Sequence, residues 1–233
     1  MTNKILIYTH LGLGDIIECN GMIRHYSENY DIVDIFSKEI YYEMCKFMYR
    51  DDENIIVNRI NNDSEARETS DFISKYDGDV VIAGHGDYCS NLAFFNKNDL
   101  GPAESFYHIA KVPWKFRNSK FYIKRDRKEE RRVFNKLNPN EEKYIFIHDD
   151  SDRGFRINAS SDNKIIRNDS SENVFNMMEI IERADEIHCM SSSILCMIDC
   201  FSNIVELDNL YLHYKVRNVK LGRNSLAAKW NIV

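Results

Sequence analysis

The sequence predicts an α/β chain built as two Rossmann-like domains facing a cleft, and three observations carry that prediction. Apolar, β-branched runs alternate with helical periodicity from Lys4 to Ala83, and the same alternation restarts at Tyr144. Such alternation is the signature of a parallel sheet covered by helices. Polar or glycine-bearing turns follow the strands of both halves, which is where open parallel sheets bind their ligands.

Lys4–Thr9 is the first strand, and His10-Leu-Gly12-Leu-Gly14-Asp15 is the turn that ends it. Ile16, Ile17, Met22, Ile23 and Tyr26 then recur at helical spacing. Asp31–Phe36 reads as a second strand, Glu39–Met48 as an amphipathic helix and Asn54–Val57 as a third strand. Ser64–Tyr76 is helical, and Val80–Ala83 is a fourth strand running into a turn over Gly84–Asp87. The pattern changes between Pro102 and Arg132, where a short helix around Phe106–Ala110, an interruption at Pro113 and a short strand at Phe121–Ile123 are expected. The seam is placed here, giving an N-terminal domain of residues 1–118 and a C-terminal domain of 119–233.

Asp126–Leu137 is a charged helix that stops before Asn138-Pro139. Tyr144–His148 opens the second set, Ile165-Ile166 marks a short strand, and Asp169 with Glu172 forms a capping box for a helix running to Ala184. Asp185–Met190 is the next strand, Ser191–Ser193 a turn of hydroxyl residues, and Ile194–Phe201 an apolar helix. A further strand is expected at Asn203–Leu207, and a terminal helix at Ser225–Trp230 that packs back on the N-terminal domain.

Composition narrows the function classes. With 233 residues, 43% of them apolar, the chain can bury sizeable cores, and a net charge of −6 with interspersed signs excludes nucleic acid as the main partner. Met1–Gly14 is too short for a signal peptide, and no later run is long enough for a membrane span, so a cytoplasmic protein is expected. Cys19, Cys45, Cys89, Cys189, Cys196 and Cys200 lack paired metal or redox spacing and read as reduced core thiols.

Gly12-x-Gly14-Asp15 is not a dinucleotide fingerprint, because Ile17 stands where its third glycine would be. The turn lets backbone approach a ligand and sets Asp15 at a helix start, either as a cap or as a base for a hydroxyl nucleophile. His10, Gly12, Gly14 and His85 fall on the same side, at strand ends. In the second half, the Ser191, Ser192 and Ser193 turn presents free N–H groups suited to a diphosphate, although Ser192 as an ordinary N-cap accounts for it equally. Arg153 and Arg156 offer guanidinium forks to the same anion, and Lys215 and Arg217 carry further charge past the last strand. Asp150-x-Asp152 is a rival, a carboxylate pair able to hold a divalent cation. His10, His85, His148 and His188 lie at or beside strand ends without metal-site spacing.

Together these residues resemble the GT-B glycosyltransferases. The turn ending in Gly14-Asp15 is similar to that of the heptosyltransferase family, whose matching aspartate is the general base. Phe121-Tyr-Ile-Lys-Arg-Asp126, Ile145-Phe-Ile-His148-Asp-Asp, Arg153-Gly-Phe, the serine turn and His213-Tyr-Lys-Val-Arg217 resemble small bacterial and viral proteins of polysaccharide assembly. The turn at Cys189–Ser193 departs from the heptosyltransferase pattern, which has an acidic residue and a glycine there. The Glu-x7-Glu pattern of many retaining members is also missing, with Ile187 in place of the glutamate counted from Glu179. The resemblance implies transfer of a hexose or pentose from a nucleotide-sugar donor to a glycan acceptor, with inversion, Asp15 as base and no divalent metal or other cofactor. In that picture the N-terminal domain holds the acceptor and the C-terminal domain the donor. Two alternatives remain at this point: an inactive nucleotide-sugar or glycan-binding module, and a nucleotide-sugar epimerase.

Overall fold

The computed structural model describes residues 2–84, 91–201, 204, 206–217 and 225–233. The chain forms two compact units, Met1–Lys124 with Leu221–Ser225 and Arg125–Lys220 with Leu226–Val233.

In the first unit β1 (Lys4–Tyr8), β2 (Ile32–Lys38), β3 (Ile55–Ile60) and β4 (Asp79–Ile82) pair in parallel in the order β3-β2-β1-β4. β1 is central, and its Ile5, Leu6 and Ile7 are buried, as a strand covered on both faces requires. Tyr8, Leu11, Phe36 and Ile60 form one core cluster with Leu6, against which Phe72, Ile73 and Tyr76 pack. Helices α1 (Leu13–Glu18) and α2 (Asn20–Ser27) follow β1, α3 (Tyr42–Tyr49) joins β2 to β3, and α4 (Glu65–Ile73) joins β3 to β4. Further on come α5 (Leu92–Lys97), α6 (Pro102–Ile109) and α7 (Phe116–Ser119).

Buried polar contacts tie α6 and the segment after it to α1 and α2. Tyr107 donates its hydroxyl to the Glu18 carbonyl and accepts from the Met22 N–H, each at 3.0 Å. Arg117 forms a buried bidentate pair with Glu18, Nη2 to Oε1 at 2.8 Å and Nε to Oε2. Phe121–Ile123 does not form the expected strand. Asn20 Oδ1 accepts from Tyr122 N at 2.9 Å and Asn20 Nδ2 donates to Tyr122 O at 3.2 Å, so one side-chain amide supplies what a neighbouring strand would.

The second unit opens with α8 (Arg127–Leu137), capped by Asp126, whose carboxylate accepts from Glu129 N. Its sheet contains β5 (Tyr144–His148), β6 (Lys164–Arg167), β7 (Glu186–Cys189), β8 (Leu210–Leu212) and β9 (Asn231–Ile232), all parallel, in the order β6-β5-β7-β8-β9. α9 (Met178–Glu182) precedes β7 and α10 (Ser193–Cys200) follows it.

Three expectations are corrected here. Asp169 and Glu172 do not cap the helix before β7: Asn173 caps a short turn at Val174–Met177, while Glu172 pairs with Arg132 and Lys136 of α8. The strand expected at Asn203–Leu207 lies at Leu210–Leu212; Leu207 N bonds to Ile204 O in a turn, and Asn203 and Val205 fall outside the described residues. Ser225–Trp230 is not a helix. The buried Asp199 carboxylate accepts from Ala227 N at 2.8 Å, Ala228 N at 2.9 Å and Trp230 Nε1 at 2.9 Å, so these donors point sideways at α10 instead of along a helix axis.

Candidate functional site

Both sheets have a point where strand order reverses, between β1 and β4 in the first unit and between β5 and β7 in the second. Ligands of open parallel sheets bind beyond the carboxyl ends of the strands at such points.

At the first, β1 and β4 stay in contact past their ends, with Ala83 N donating to Tyr8 O at 2.8 Å. Gly84 continues that contact; a Cβ there would lie 1.8 Å from His10 N, so only glycine lets the two chains meet. His10 then turns its ring toward the first helix, and its Nδ1 lies 2.7 Å from Asp15 Oδ2. Gly12 lies under this pair: a side chain there would begin 2.7 Å from Asp15 Oδ2 and 3.3 Å from His10 Nδ1. The hydrogen bond to Asp15 raises the His10 pKa above its ordinary value, partly opposed by burial. Gly12 N also lies 3.3 Å from the same Nδ1, so the turn backbone and the Asp15 carboxylate together orient the ring.

Glu65 also raises the His10 pKa and Lys38 lowers it, so both act on this ring. Lys38 Nζ is 2.9 Å from Glu65 Oε2, and Tyr8 donates its hydroxyl to Glu65 Oε1 at 3.2 Å. Sequence reasoning missed these three, although Tyr8 and Lys38 end adjacent strands and Glu65 opens α4. Gly14 lies within α1, and His85 falls outside the described residues.

At the second reversal point the ends of β5, β7 and β8 are joined through backbone: Met190 N donates to His148 O at 3.2 Å and His213 N to Cys189 O at 2.8 Å. Ser192 is the N-cap of α10, its Oγ accepting from Leu195 N at 3.4 Å, and Ser193 is the first helical residue. Arg217 Nη1 donates to Ser191 O at 3.0 Å, which brings the segment after β8 onto the serine turn. Val216 packs beside Met190 and Ile157.

Arg153 also lies beyond β5, but its guanidinium is engaged by Asp150, which accepts from Arg153 N at 3.2 Å and Arg153 Nε as well. Burial would raise the Asp150 pKa, and the bonds from Arg153 outweigh it and lower it. Arg156 and Lys215 are exposed, and among the described residues no hydrogen bond ties them to the serine turn. Asp149 is buried, accepting from Ile157 N at 2.9 Å and pairing with Arg167, so it holds the loop between β5 and β6. His188 bridges two groups, with Nε2 3.1 Å from Glu186 Oε2 and Nδ1 2.9 Å from His213 Nε2.

Comparison with solved structures decides the fold. A glycosyl transferase family 9 protein from Veillonella parvula matches 99% of this chain and 86% of its own length, with a TM-score of 0.60 at 11% identity. The fold is that of the heptosyltransferase-like glycosyltransferases. The E. coli ADP-heptose lps heptosyltransferase II matches 99% of this chain and 90% of its own, with a TM-score of 0.54 at 10% identity. No protein-family model and no curated protein sequence matches. The resemblance read from the sequence therefore holds at the level of the heptosyltransferase-like fold, and two parallel sheets carry it. No helix among the described residues is long and apolar enough to cross a membrane.

Proposed function

We propose that the protein is a glycosyltransferase that moves a hexose or pentose from a nucleoside-diphosphate donor to a glycan hydroxyl. The His10–Asp15 pair is the observation that carries this reading, because it sets a proton acceptor at the carboxyl end of the central strand of a heptosyltransferase-like fold. The acceptor oxygen forms a bond to the anomeric carbon, the bond from that carbon to the diphosphate breaks with its electron pair, and the hydroxyl proton passes to the pair. A single displacement inverts the anomeric centre. The N-terminal unit takes the acceptor, with His10, Gly12, Gly14 and His85 on that side and Asp15 as base or as the group that fixes His10. The C-terminal unit takes the donor through the Ser191–Ser193 turn and Arg217, with Arg153, Arg156 and Lys215 as further cations.

Engagement of Asp150 by Arg153 supports a metal-independent reaction over the carboxylate-pair alternative, since the carboxylate that would hold a cation is already neutralised. The test is release of nucleoside diphosphate from a panel of nucleotide sugars, with glycan acceptors present or absent and with or without Mn²⁺. Acceptor-dependent release from one donor, without metal and lost in Asp15→Asn, is the expected result. Absence of turnover across the panel, or full turnover in Asp15→Asn, would overturn it.

A further inference from the structure

One face of the second sheet carries a chain of titratable side chains that glycosyl transfer leaves unused. Glu186 and His188 alternate onto it from β7, and Tyr211 and His213 from β8 and the residue beyond it. Glu186 Oε2 lies 3.1 Å from His188 Nε2, and His188 Nδ1 lies 2.9 Å from His213 Nε2. Tyr211 stacks on the His188 ring, with centroids 4.7 Å apart and planes at 11°, which holds the ring between its two partners. His188 is buried, and Glu186 and His213 are half-buried.

Two hydrogen bonds in line fix where the protons sit. With Glu186 ionised, His188 donates from Nε2 and keeps a lone pair on Nδ1, which accepts the N–H of His213 Nε2. His213 Nδ1 can take one added proton without disturbing either bond. A second proton has only the His188 Nδ1 lone pair to bind, and that lone pair is the acceptor of the His213 bond. Taking it up removes the bond and sets two imidazolium rings against each other. Burial first, and the facing His188 ring second, lower the His213 pKa below its ordinary 6.5.

The neighbours on this face are largely apolar or neutral. Ile147 of β5 stands beside His188 and Asn231 of β9 beside Tyr211, while Phe155, Ala159 and Val216 cover the adjoining core. The charged groups of the flanking segments are Arg156 and Lys215, both exposed, Asp185, which accepts from Asn163 Nδ2 at 3.3 Å, and Arg217, which donates to Ser191 O.

His213 begins the turn that carries Arg217. Its N–H donates to Cys189 O at 2.8 Å, its carbonyl accepts from Val216 N at 3.2 Å, and Arg217 Nη1 reaches Ser191 O at 3.0 Å. We infer that the Glu186–His188–His213 chain is an acid-released latch: closed at neutral pH, it holds residues 213–217 on the serine turn, and double protonation of the imidazole pair opens that segment. The sign follows from linkage. The open form binds more protons below 6.5, so closure is complete above that value and is lost as pH falls. The latch operates without any ligand and so stands apart from the transferase reading.

Hydrogen exchange of the unliganded full chain, read by mass spectrometry over residues 210–217 as protection factors between about pH 7.5 and about pH 5, tests this. Protection over 213–217 should fall about 10-fold or more on acidification, and by more than protection over β5. His213→Gln keeps a donor at the Nε2 position but leaves one ring to charge, so its segment should stay closed across the range. Glu186→Gln removes the carboxylate that steadies a charged His188 in the open form, and should shift the opening to lower pH. Both variants retain His148, so an acid response arising elsewhere in the unit would appear in all three proteins alike. That result, or wild-type protection unchanged by pH, or opening of Glu186→Gln at the wild-type pH, would overturn the latch.

Discussion

His10 and Asp15 share a hydrogen bond of 2.7 Å across the turn that ends the central strand of the first unit. Asp15→Asn should lower the transfer rate about 10²- to 10⁴-fold while leaving nucleoside diphosphate affinity unchanged, as measured by initial rates and titration calorimetry. His10→Asn should cost as much if Nε2 is the base and much less if Asp15 is. The two variants thus assign the proton.

The pH dependence has a defined sign. Because the His10 pKa is raised above 6.5, the neutral ring is gained only as pH climbs through that raised value, so turnover should rise on a limb lying above 6.5. Asp15→Asn should move the limb of its residual activity downward. The linked stability runs the other way, fully present below 6.5 and lost as pH rises through the folded value. Rate and melting temperature measured across the same buffers should therefore slope in opposite directions.

Gly84→Ala should be among the most damaging small substitutions in the chain. Its new Cβ would meet His10 N at 1.8 Å and Thr9 C at 2.4 Å, both backbone atoms that no rotamer change can move aside. Separating the two strand ends should cost about 3 kcal/mol and displace His10, so urea midpoint and turnover should fall together.

Glu18→Gln should destabilise the first unit by about 1–3 kcal/mol, since it weakens the buried bidentate pair that Glu18 makes with Arg117. The protein has two tryptophans; Trp114 stacks edge-on against Tyr107 in the first unit and Trp230 belongs to the second. Urea melts followed by fluorescence in a Trp230→Phe background report the first unit alone. The loss should appear there.

His148 gives the second unit an acid-labile element. Its folded pKa of about 4 lies below the ordinary 6.5, so the unfolded chain binds the extra proton between those values and stability drops as pH falls across that window. The drop should reach about 3 kcal/mol at pH 4, and it should be absent from His148→Leu in melts recorded at pH 4 and pH 7.

Much of the architecture was legible in the chain because strands buried on both faces leave continuous apolar runs. Lys4–Tyr8, Ile32–Phe36, Tyr144–His148 and Glu186–Cys189 all fall within runs recognised from sequence. The errors share a cause. Phe121–Ile123 has strand-like composition, yet the Asn20 amide, 102 residues from Tyr122, takes the backbone groups that a sheet would pair. The segment before Trp230 looks helical until Asp199 claims its donors. In the site, His10 and Asp15 were each identifiable as types suited to proton transfer, but their pairing spans an irregular turn that no periodic pattern encodes. Lys38 and Glu65 were hidden because they act on the His10 ring only after three elements are packed, and Tyr8 because it joins them through its bond to Glu65.

The three donors that converge on Asp199 have a consequence for how the chain is made. Residues 125–200 can leave the ribosome with α10 and its strands already synthesised, but the Asp199 carboxylate gains these three donors only when Ala227, Ala228 and Trp230 arrive. β9, which pairs with β8, arrives later still. Native structure in the second unit thus draws on residues synthesised well after α10, so a chain stopped short of Trp230 should stay open to proteolysis through α10 even though every other helix and strand of that unit before β9 is already present.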